Sequence, residues 1–389
     1  MDHVAMEVGS RGIIPANGSM LLRDYLRDIE ATDELPKDEI TPVLFGLYGE
    51  VGSILSTAKK LDRDKGSYIG YKKTREEEFG DVLWYFAALC RRVGASADDI
   101  FSKATASADY QHVVAANDLP HGPVSHVSIL GSSPSIQKSY LDLGSAIGPL
   151  IKAVEEGKDI QPFLCYFADC YLRALQASEL VFARVVQTNL TKALGRFIET
   201  DFSKLPTFDA SFLDEERLPD EFEIRITQRS SGQSYLQWNG VFIGDPLTDN
   251  IRDPDGYRFH DVFHMAHAAI LHWSPTFRAL IKHKRKSKKE IDEAQDGGRA
   301  IVVEEGLTAW IYSRAKELNY FQGQDRVSFD MLKTIAQFVQ GYEVEACPLK
   351  LWERAILRGY DVFLKVRENN GGIVVGDRRA RNIEYKALE

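Results

Sequence analysis

The sequence lacks the short motifs that assign a function directly. It contains neither a G-x-x-x-x-G-K-[ST] phosphate loop nor a G-x-S-x-G nucleophile elbow, which disfavours a P-loop kinase and a serine hydrolase. Cysteine is also scarce, and no two cysteines form a C-x-x-C pair, so we predict buried, reduced thiols rather than disulfides or zinc ligands. The cysteines are Cys90, Cys165, Cys170 and Cys347.

Long apolar runs and an excess of basic residues are missing as well. No stretch reaches the roughly 18 apolar residues that a membrane span needs, and the N-terminal residues lack the apolar core of a secretory signal. We therefore expect a cytoplasmic protein without a membrane partner. The formal net charge of −9 and the pI of about 5.6 argue against nucleic acid as a partner.

The chain does contain helical periodicity over most of its 389 residues. Only residues 221–229 alternate with the period of two that is typical of a strand, and a second such segment, 235–243, follows after a turn. The sequence thus predicts a mainly α protein, with a helical bundle, a second helical domain and a small β-hairpin between them. The predicted segments are a flexible lead-in at 1–19, a helical domain at 20–200 with an insertion at about 105–140, a linker with the hairpin at 201–256, a C-terminal helical domain at 257–367 and a tail at 368–389.

Two acidic clusters lie in neighbouring predicted helices. Glu50 belongs to the first, and Glu78 and Asp81, three residues apart and so on one helix face, belong to the second. A polar loop separates the helices, so we expect antiparallel neighbours that bring the three carboxylates together. Carboxylates in apolar surroundings are costly unless they are compensated, and a hard divalent cation provides that compensation. The pattern predicts a Mg²⁺ site, with Mn²⁺ as the alternative, and indicates phosphate chemistry.

These segments resemble the MazG-type nucleotide pyrophosphohydrolases of the all-α NTP pyrophosphatase superfamily. That family has Glu-Glu-x-x-Glu on one helix and Glu-x-x-Asp on the next, and this chain has Gly-Glu-Val-Gly-Ser at 49–53 and Glu-Phe-Gly-Asp at 78–81. Gly49 and Ser53 therefore stand where the family has glutamate. The resemblance, which covers about residues 20–200, implies that Glu50, Glu78 and Asp81 are metal ligands and catalytic residues.

A third matching segment lies further along the chain. The residues from Asn189 to Lys192 (NLTK), followed by Arg196, are similar to the family segment that holds the nucleotide phosphates. The resemblance implies that Asn189, Lys192 and Arg196 bind the substrate through hydrogen bonds, two of them charge-assisted. It also implies a metal-dependent hydrolysis of a nucleoside triphosphate to a monophosphate and pyrophosphate. The family builds its bundle by dimerising, so we expect a homodimer unless the second half of the chain completes the bundle in cis.

A second cluster of metal-ligating residues occurs in the C-terminal half. His260, His264 and His267 follow the i, i+4, i+7 spacing of one helix stripe, next to Asp261 and with the pair at 304–305 (Glu304 and Glu305) further on. Histidine with carboxylate suits Mn²⁺, Zn²⁺, Fe²⁺ or acid–base chemistry, whereas the alternative is a set of hydrogen-bonded core histidines. This half also looks like the helical domain appended to some MazG-like proteins, a grouping associated with bacterial conflict and antiphage defence.

Three functional hypotheses follow from these patterns. The first is a Mg²⁺-dependent nucleotide pyrophosphohydrolase with a role in defence or in control of the nucleotide pool. The second is a nucleotide-binding sensor with weak or no turnover, because Ser53 replaces an expected ligand. The third is a hydrolase that uses the C-terminal histidine and carboxylate cluster. The basic run at 282–289 is either a solvated loop or a guide for polyphosphate or a nucleic-acid end.

Overall fold

A computed structural model of the chain shows a mainly α protein, as the sequence predicts. The described residues fall into two compact units, with the boundary between Ile198 and Glu199. The predicted lead-in at 1–19 and most of the predicted insertion at 105–140 lie outside the described residues. The structure describes residues 22–106, 110–112, 127–129, 135–198 and 201–388.

The N-terminal unit consists of helices and one short two-stranded sheet. Pro42 lies in the first turn of the second helix, where its missing N–H costs nothing. Two helices rather than one cover residues 161–197, because the chain turns at Glu179, which has a positive φ of 55°. The elements are α1 (Leu22–Glu30), α2 (Thr41–Asp64), α3 (Tyr71–Arg92), α4 (Ala97–Ala104), β1 (Tyr110–His112), β2 (Val127–Ile129), α5 (Ile136–Glu155), α6 (Gln161–Ala177) and α7 (Phe182–Phe197).

Helix α3 runs through the core of this unit and is packed by its neighbours. The ring of Phe86 stacks on that of Phe167 from α6, with centroids 5.2 Å apart. On another face, Gly80 lets α7 approach closely, since a Cβ at Gly80 would lie 2.8 Å from the Cβ of Asn189. A side chain of any other residue at this position would push α7 away from α3.

The C-terminal unit combines helices with one five-stranded antiparallel sheet. The helices are α8 (Asp261–Ala266), which continues into a π-helical turn (His267–Leu271), α9 (Pro275–Ile281), α10 (Lys289–Ala294), α11 (Gly298–Glu317), α12 (Phe329–Phe338) and α13 (Leu349–Glu368). The strands are β3 (Glu221–Gln228), β4 (Ser234–Trp238), β5 (Val241–Leu247), β6 (Gly371–Asp377) and β7 (Asn382–Lys386), in the spatial order β5-β4-β3-β6-β7. Among the residues described, no helix combines the length and the apolar character needed to cross a bilayer.

Two of these strands correct the predicted organisation. Residues 368–389 are predicted as a tail, but β6 pairs with β3 and β7 extends the sheet, so the hairpin is part of a larger sheet. Gly376 makes this pairing possible, because a Cβ there would lie 2.1 Å from the ring of Phe222 on β3. No local sequence pattern marks these strands, because β6 pairs with a strand about 150 residues earlier in the chain and the two glycines at its start suggest a turn.

A buried ionic network connects the helices and loops of this unit. The guanidinium of Arg285 is buried and donates to Asp296 at 2.7 Å and to Glu343 at 2.6 Å. Arg278 likewise donates to buried Asp209 at 2.6 Å, and Arg378 binds the other oxygen of that carboxylate. The basic run at 282–289 is therefore not simply a solvated loop, since one of its cations lies in the interior.

We predict that Arg285→Ala lowers the free energy of unfolding by about 3–5 kcal/mol, because it leaves two carboxylates without their cation. The neighbouring exposed Lys286→Ala should change it by less than about 0.5 kcal/mol. Urea titration followed by tryptophan fluorescence measures both. Equal, small effects of the two substitutions would contradict a structural role for this network.

Candidate functional site

The three predicted metal-binding carboxylates converge in the N-terminal unit. Oxygen atoms of Glu50 on α2 and of Glu78 and Asp81 on α3 lie within 4.8 Å of one another. The two helices pack side by side, and the three-residue spacing of Glu78 and Asp81 places both on the face that α2 covers. The local sequence therefore sets the pair on one stripe, and helix packing adds the third carboxylate.

The electrostatics of this cluster fit a bound cation. Burial and the nearby charges of Asp81 and Glu78 raise the pKa of Glu50 to about 8. Three carboxylates held this closely repel one another, so they favour either a proton or a metal ion between them. The donor set consists only of carboxylate oxygens, which suits Mg²⁺ or Mn²⁺.

Helix α7 brings two of the predicted substrate-binding residues to the cluster. The ammonium of Lys192 donates to Asp81 at 2.6 Å and to Glu77 at 2.9 Å. The amide of Asn189 donates to Asp81 at 3.1 Å and accepts a hydrogen bond of 2.8 Å from the hydroxyl of Tyr25. A cation and an amide donor thus lie at the edge of the acidic site, where anionic oxygens of a ligand would meet them.

The third predicted substrate-binding residue, Arg196, lies one turn further along α7. It is buried, and its guanidinium stands over the ring of Phe197, 5.5 Å from the centroid. The structure thus places Asn189 and Lys192 directly on the carboxylate cluster, whereas the contact it describes for Arg196 is with an aromatic ring.

The two positions that depart from the family pattern lie on α2 beside Glu50. Ser53 follows Glu50 by three residues and shares its helix face. A Cβ at Gly49 would meet no atom within 4 Å, so the fold leaves room for a side chain there. Packing therefore does not exclude a side chain at Gly49, and its absence is a feature of the sequence.

Sequence reasoning missed the residues that support this site. Glu76 is buried and binds Arg184 at 2.9 Å and Thr188 at 2.7 Å, which ties α3 to α7. Tyr25 reaches Asn189 from a helix 164 residues earlier in the chain. No local sequence pattern marks Tyr25. The run of three glutamates at 76–78, in contrast, indicates that more than one of them can contribute to the site.

The predicted C-terminal cluster also forms. Ligand atoms of His260, Asp261 and His264 lie within 4.8 Å of one another, as do those of a second group, which consists of His264, His267 and Glu304. All of these side chains come from α8, the residues at its two ends, and α11. His264 and Glu304 are completely buried.

The two carboxylates of α11 lie on opposite sides of the His264 ring. Its Nδ1 atom is 3.0 Å from an oxygen of Glu304, and its Nε2 atom is 3.3 Å from an oxygen of Glu305. Burial alone would lower the pKa of His264, but these two carboxylates raise it well above the ordinary value. Glu305 also lies 3.6 Å from Nε2 of His260.

Comparison with known protein families identifies the C-terminal unit. Residues 203–389 match the family model described as the MazG C-terminal domain. No curated protein and no solved structure matches the chain. The matched range begins within the predicted linker and ends with the predicted tail, so it includes the whole five-stranded sheet and the helices around it. Residues 203–389 of this chain therefore form a MazG-type C-terminal domain.

Proposed function

We propose that the protein is a metal-dependent nucleotide pyrophosphohydrolase that converts a nucleoside triphosphate into a monophosphate and pyrophosphate. The observation that carries this proposal is the convergence of Glu50, Glu78 and Asp81 on one point, with Lys192 and Asn189 beside them. The MazG-type C-terminal domain adds support, because it relates the chain to a family of pyrophosphatase-type hydrolases.

The residues in and beside the cluster would have different roles in such a reaction. Glu50, Glu78 and Asp81 would hold Mg²⁺ or Mn²⁺, which supplies charge neutralisation of the phosphates and activation of water. A carboxylate of the cluster can take the proton of the attacking water. Lys192 would exchange part of its contact with Asp81 for a phosphate oxygen, and Asn189, held by Tyr25, would donate to another.

The proposal includes a homodimer. Phe45 and Tyr48 on α2 are 74% and 61% exposed, and such large side chains next to an active site fit a surface that a second copy covers. A cytoplasmic location and a role in defence or in control of the nucleotide pool remain predictions.

Asp81→Asn tests the catalytic assignment. It removes a charged ligand, and each 1.4 kcal/mol of lost transition-state stabilisation is tenfold in rate, so we expect turnover to fall about 100-fold or more. The assay is a panel of NTPs and dNTPs with Mg²⁺ or Mn²⁺, with products separated by chromatography. Asp64→Asn, a partly exposed site at the C-terminal end of α2, is the matched control and should retain activity.

The raised pKa of Glu50 predicts how pH affects the N-terminal unit. A carboxyl whose pKa is about 8 in the folded state and ordinary in the unfolded state stabilises the protein at low pH. Without metal, that contribution declines as the pH rises above about 4.5 and is lost near pH 8. Mg²⁺ displaces the proton, so it should raise Tm more at pH 8.5 than at pH 6.5. Glu50→Gln should abolish this difference, and an equal Mg²⁺ effect at both pH values would contradict it.

Ser53→Glu tests whether the departure from the family pattern limits the site. A fourth carboxylate on the same helix face should tighten Mg²⁺ binding by roughly tenfold and increase turnover. Ser53→Ala controls for loss of the hydroxyl. Calorimetric titration with Mg²⁺ and the nucleotide assay measure both properties, and unchanged metal affinity in Ser53→Glu would contradict the proposal that a ligand is missing.

A second candidate function, a nucleotide sensor, is favoured by one observation. The ammonium of Lys192 already occupies part of the coordination space of Asp81, at 2.6 Å. A site that holds a nucleotide without a fully formed metal centre would bind but not hydrolyse. Nucleotide binding without product for any base or metal would support the sensor. Turnover that is lost in Asp261→Asn but kept in Asp81→Asn would instead assign the chemistry to the C-terminal cluster.

A further inference from the structure

We propose that the MazG-type C-terminal domain contains its own divalent metal site, in which His260, Asp261, His264 and Glu305 bind an ion of the Zn²⁺, Mn²⁺ or Fe²⁺ class. This site is separate from the carboxylate cluster of the N-terminal unit and does not depend on the proposed function.

The ring of His264 gives the first observation. It is completely buried, yet neither of its nitrogens forms a hydrogen bond of acceptable geometry, although carboxylate oxygens lie 3.0 and 3.3 Å away. A buried imidazole without hydrogen bonds is costly. Donors that bind one metal ion point at the ion rather than at each other. In a tetrahedral site with bond lengths of about 2.1 Å, adjacent ligand atoms lie about 3.4 Å apart. The separation of His264 Nε2 from Glu305 fits such a pair.

The ring of His260 is fixed so that one of its nitrogens lies toward Glu305. Its Nδ1 atom lies 3.0 Å from the carbonyl oxygen of Tyr257, and because a carbonyl only accepts, Nδ1 carries the proton. With the proton on Nδ1, the other ring nitrogen, Nε2, is the one available to a metal ion, and it lies 3.6 Å from an oxygen of Glu305. The ring of Tyr257 stacks on His260 with centroids 4.5 Å apart and an angle of 5°, which holds this orientation.

Glu304 occupies the position of a supporting carboxylate. One of its oxygens lies 3.0 Å from Nδ1 of His264, on the side of the ring away from Glu305, which is where the supporting carboxylate of a metal-binding histidine lies. Glu304 is itself held by the backbone N–H of Thr276 at 2.9 Å and by Nδ1 of His267 at 3.0 Å. These bonds fix Glu304 in the interior. We therefore give Glu304 and His267 a supporting role and leave them out of the ligand set.

The path of the chain places these groups together. His260 and Asp261 begin α8, and His264 follows one turn later, so the three lie on adjoining stripes of the helix. Helix α8 then widens into the π-helical turn at 267–271, a rare form that occurs often at functional sites.

The ligand set is open on one side. The side chain of Glu305 is 37% exposed and that of His260 is 13% exposed, while His264 and Glu304 are inaccessible. An ion can therefore enter past Glu305, and the solvent side leaves room for water or a further ligand. Two histidines with two carboxylates are nitrogen and oxygen donors of intermediate softness, which favours Zn²⁺, Mn²⁺ or Fe²⁺ over Mg²⁺.

The experiment uses the full chain without a histidine tag and with Asp81→Asn to weaken the N-terminal site. After dialysis against Zn²⁺, elemental analysis should give one bound ion per chain, and Co²⁺ should give a visible spectrum typical of nitrogen ligation. Adding Glu305→Gln should weaken Zn²⁺ binding at least about 100-fold, since loss of a mere supporting group costs 10–100-fold. Glu317→Gln, an exposed site on the same helix, is the matched control and should bind as before.

His264→Gln should abolish the Co²⁺ spectrum, and because this residue is buried, circular dichroism must show that the variant is folded. If it does not fold, the half-exposed Glu305 decides the question. The proposal is overturned if the Asp81→Asn protein binds none of Zn²⁺, Mn²⁺ and Co²⁺ stoichiometrically, which would leave the cluster as a protonated histidine between two carboxylates. It is also overturned if Glu305→Gln binds Zn²⁺ as tightly as the Glu317→Gln control does.

Discussion

The cost of burying charge determines how both units of this protein are built. In the N-terminal unit, Glu50, Glu78 and Asp81 are half-buried on two neighbouring helices, and α7 contributes Lys192 to offset part of their negative charge. The C-terminal unit buries Arg278, Arg285 and Arg378, and each of them binds a carboxylate. Because an isolated ion in a protein interior is strongly destabilising, each buried charge requires a partner, and these partners bring the elements of each unit together.

Charges are less completely compensated at the two candidate sites than in the buried ionic network around Arg285. Arg285 has carboxylates at 2.7 and 2.6 Å on both sides. By contrast, burial and two neighbouring carboxylates of the same sign raise the pKa of Glu50 to about 8. The nitrogens of His264 face carboxylates without hydrogen bonds of acceptable geometry. Such incompletely balanced clusters are typical of binding and catalytic sites.

The two candidate sites differ in the chemistry of their donors. The N-terminal cluster contains only carboxylate oxygens and lies beside Lys192, an arrangement suited to a hard cation that accompanies polyphosphate. The C-terminal cluster combines His260 and His264 with carboxylates, an arrangement that suits a softer ion. The two clusters thus differ in their donor sets, and so do the classes of cation that suit them.

The helical periods of the sequence determined much of this structure by themselves. They set the mainly α class, placed Glu78 and Asp81 on one helix face, and aligned His260 with His264, because spacings of three and four residues bring side chains together within a single helix. Tertiary structure alone decided the rest. It supplied Tyr25 to the N-terminal site, paired β6 with β3 and buried Arg285. These contacts join segments far apart in the chain, and their energy depends on packing and desolvation, which no local pattern records.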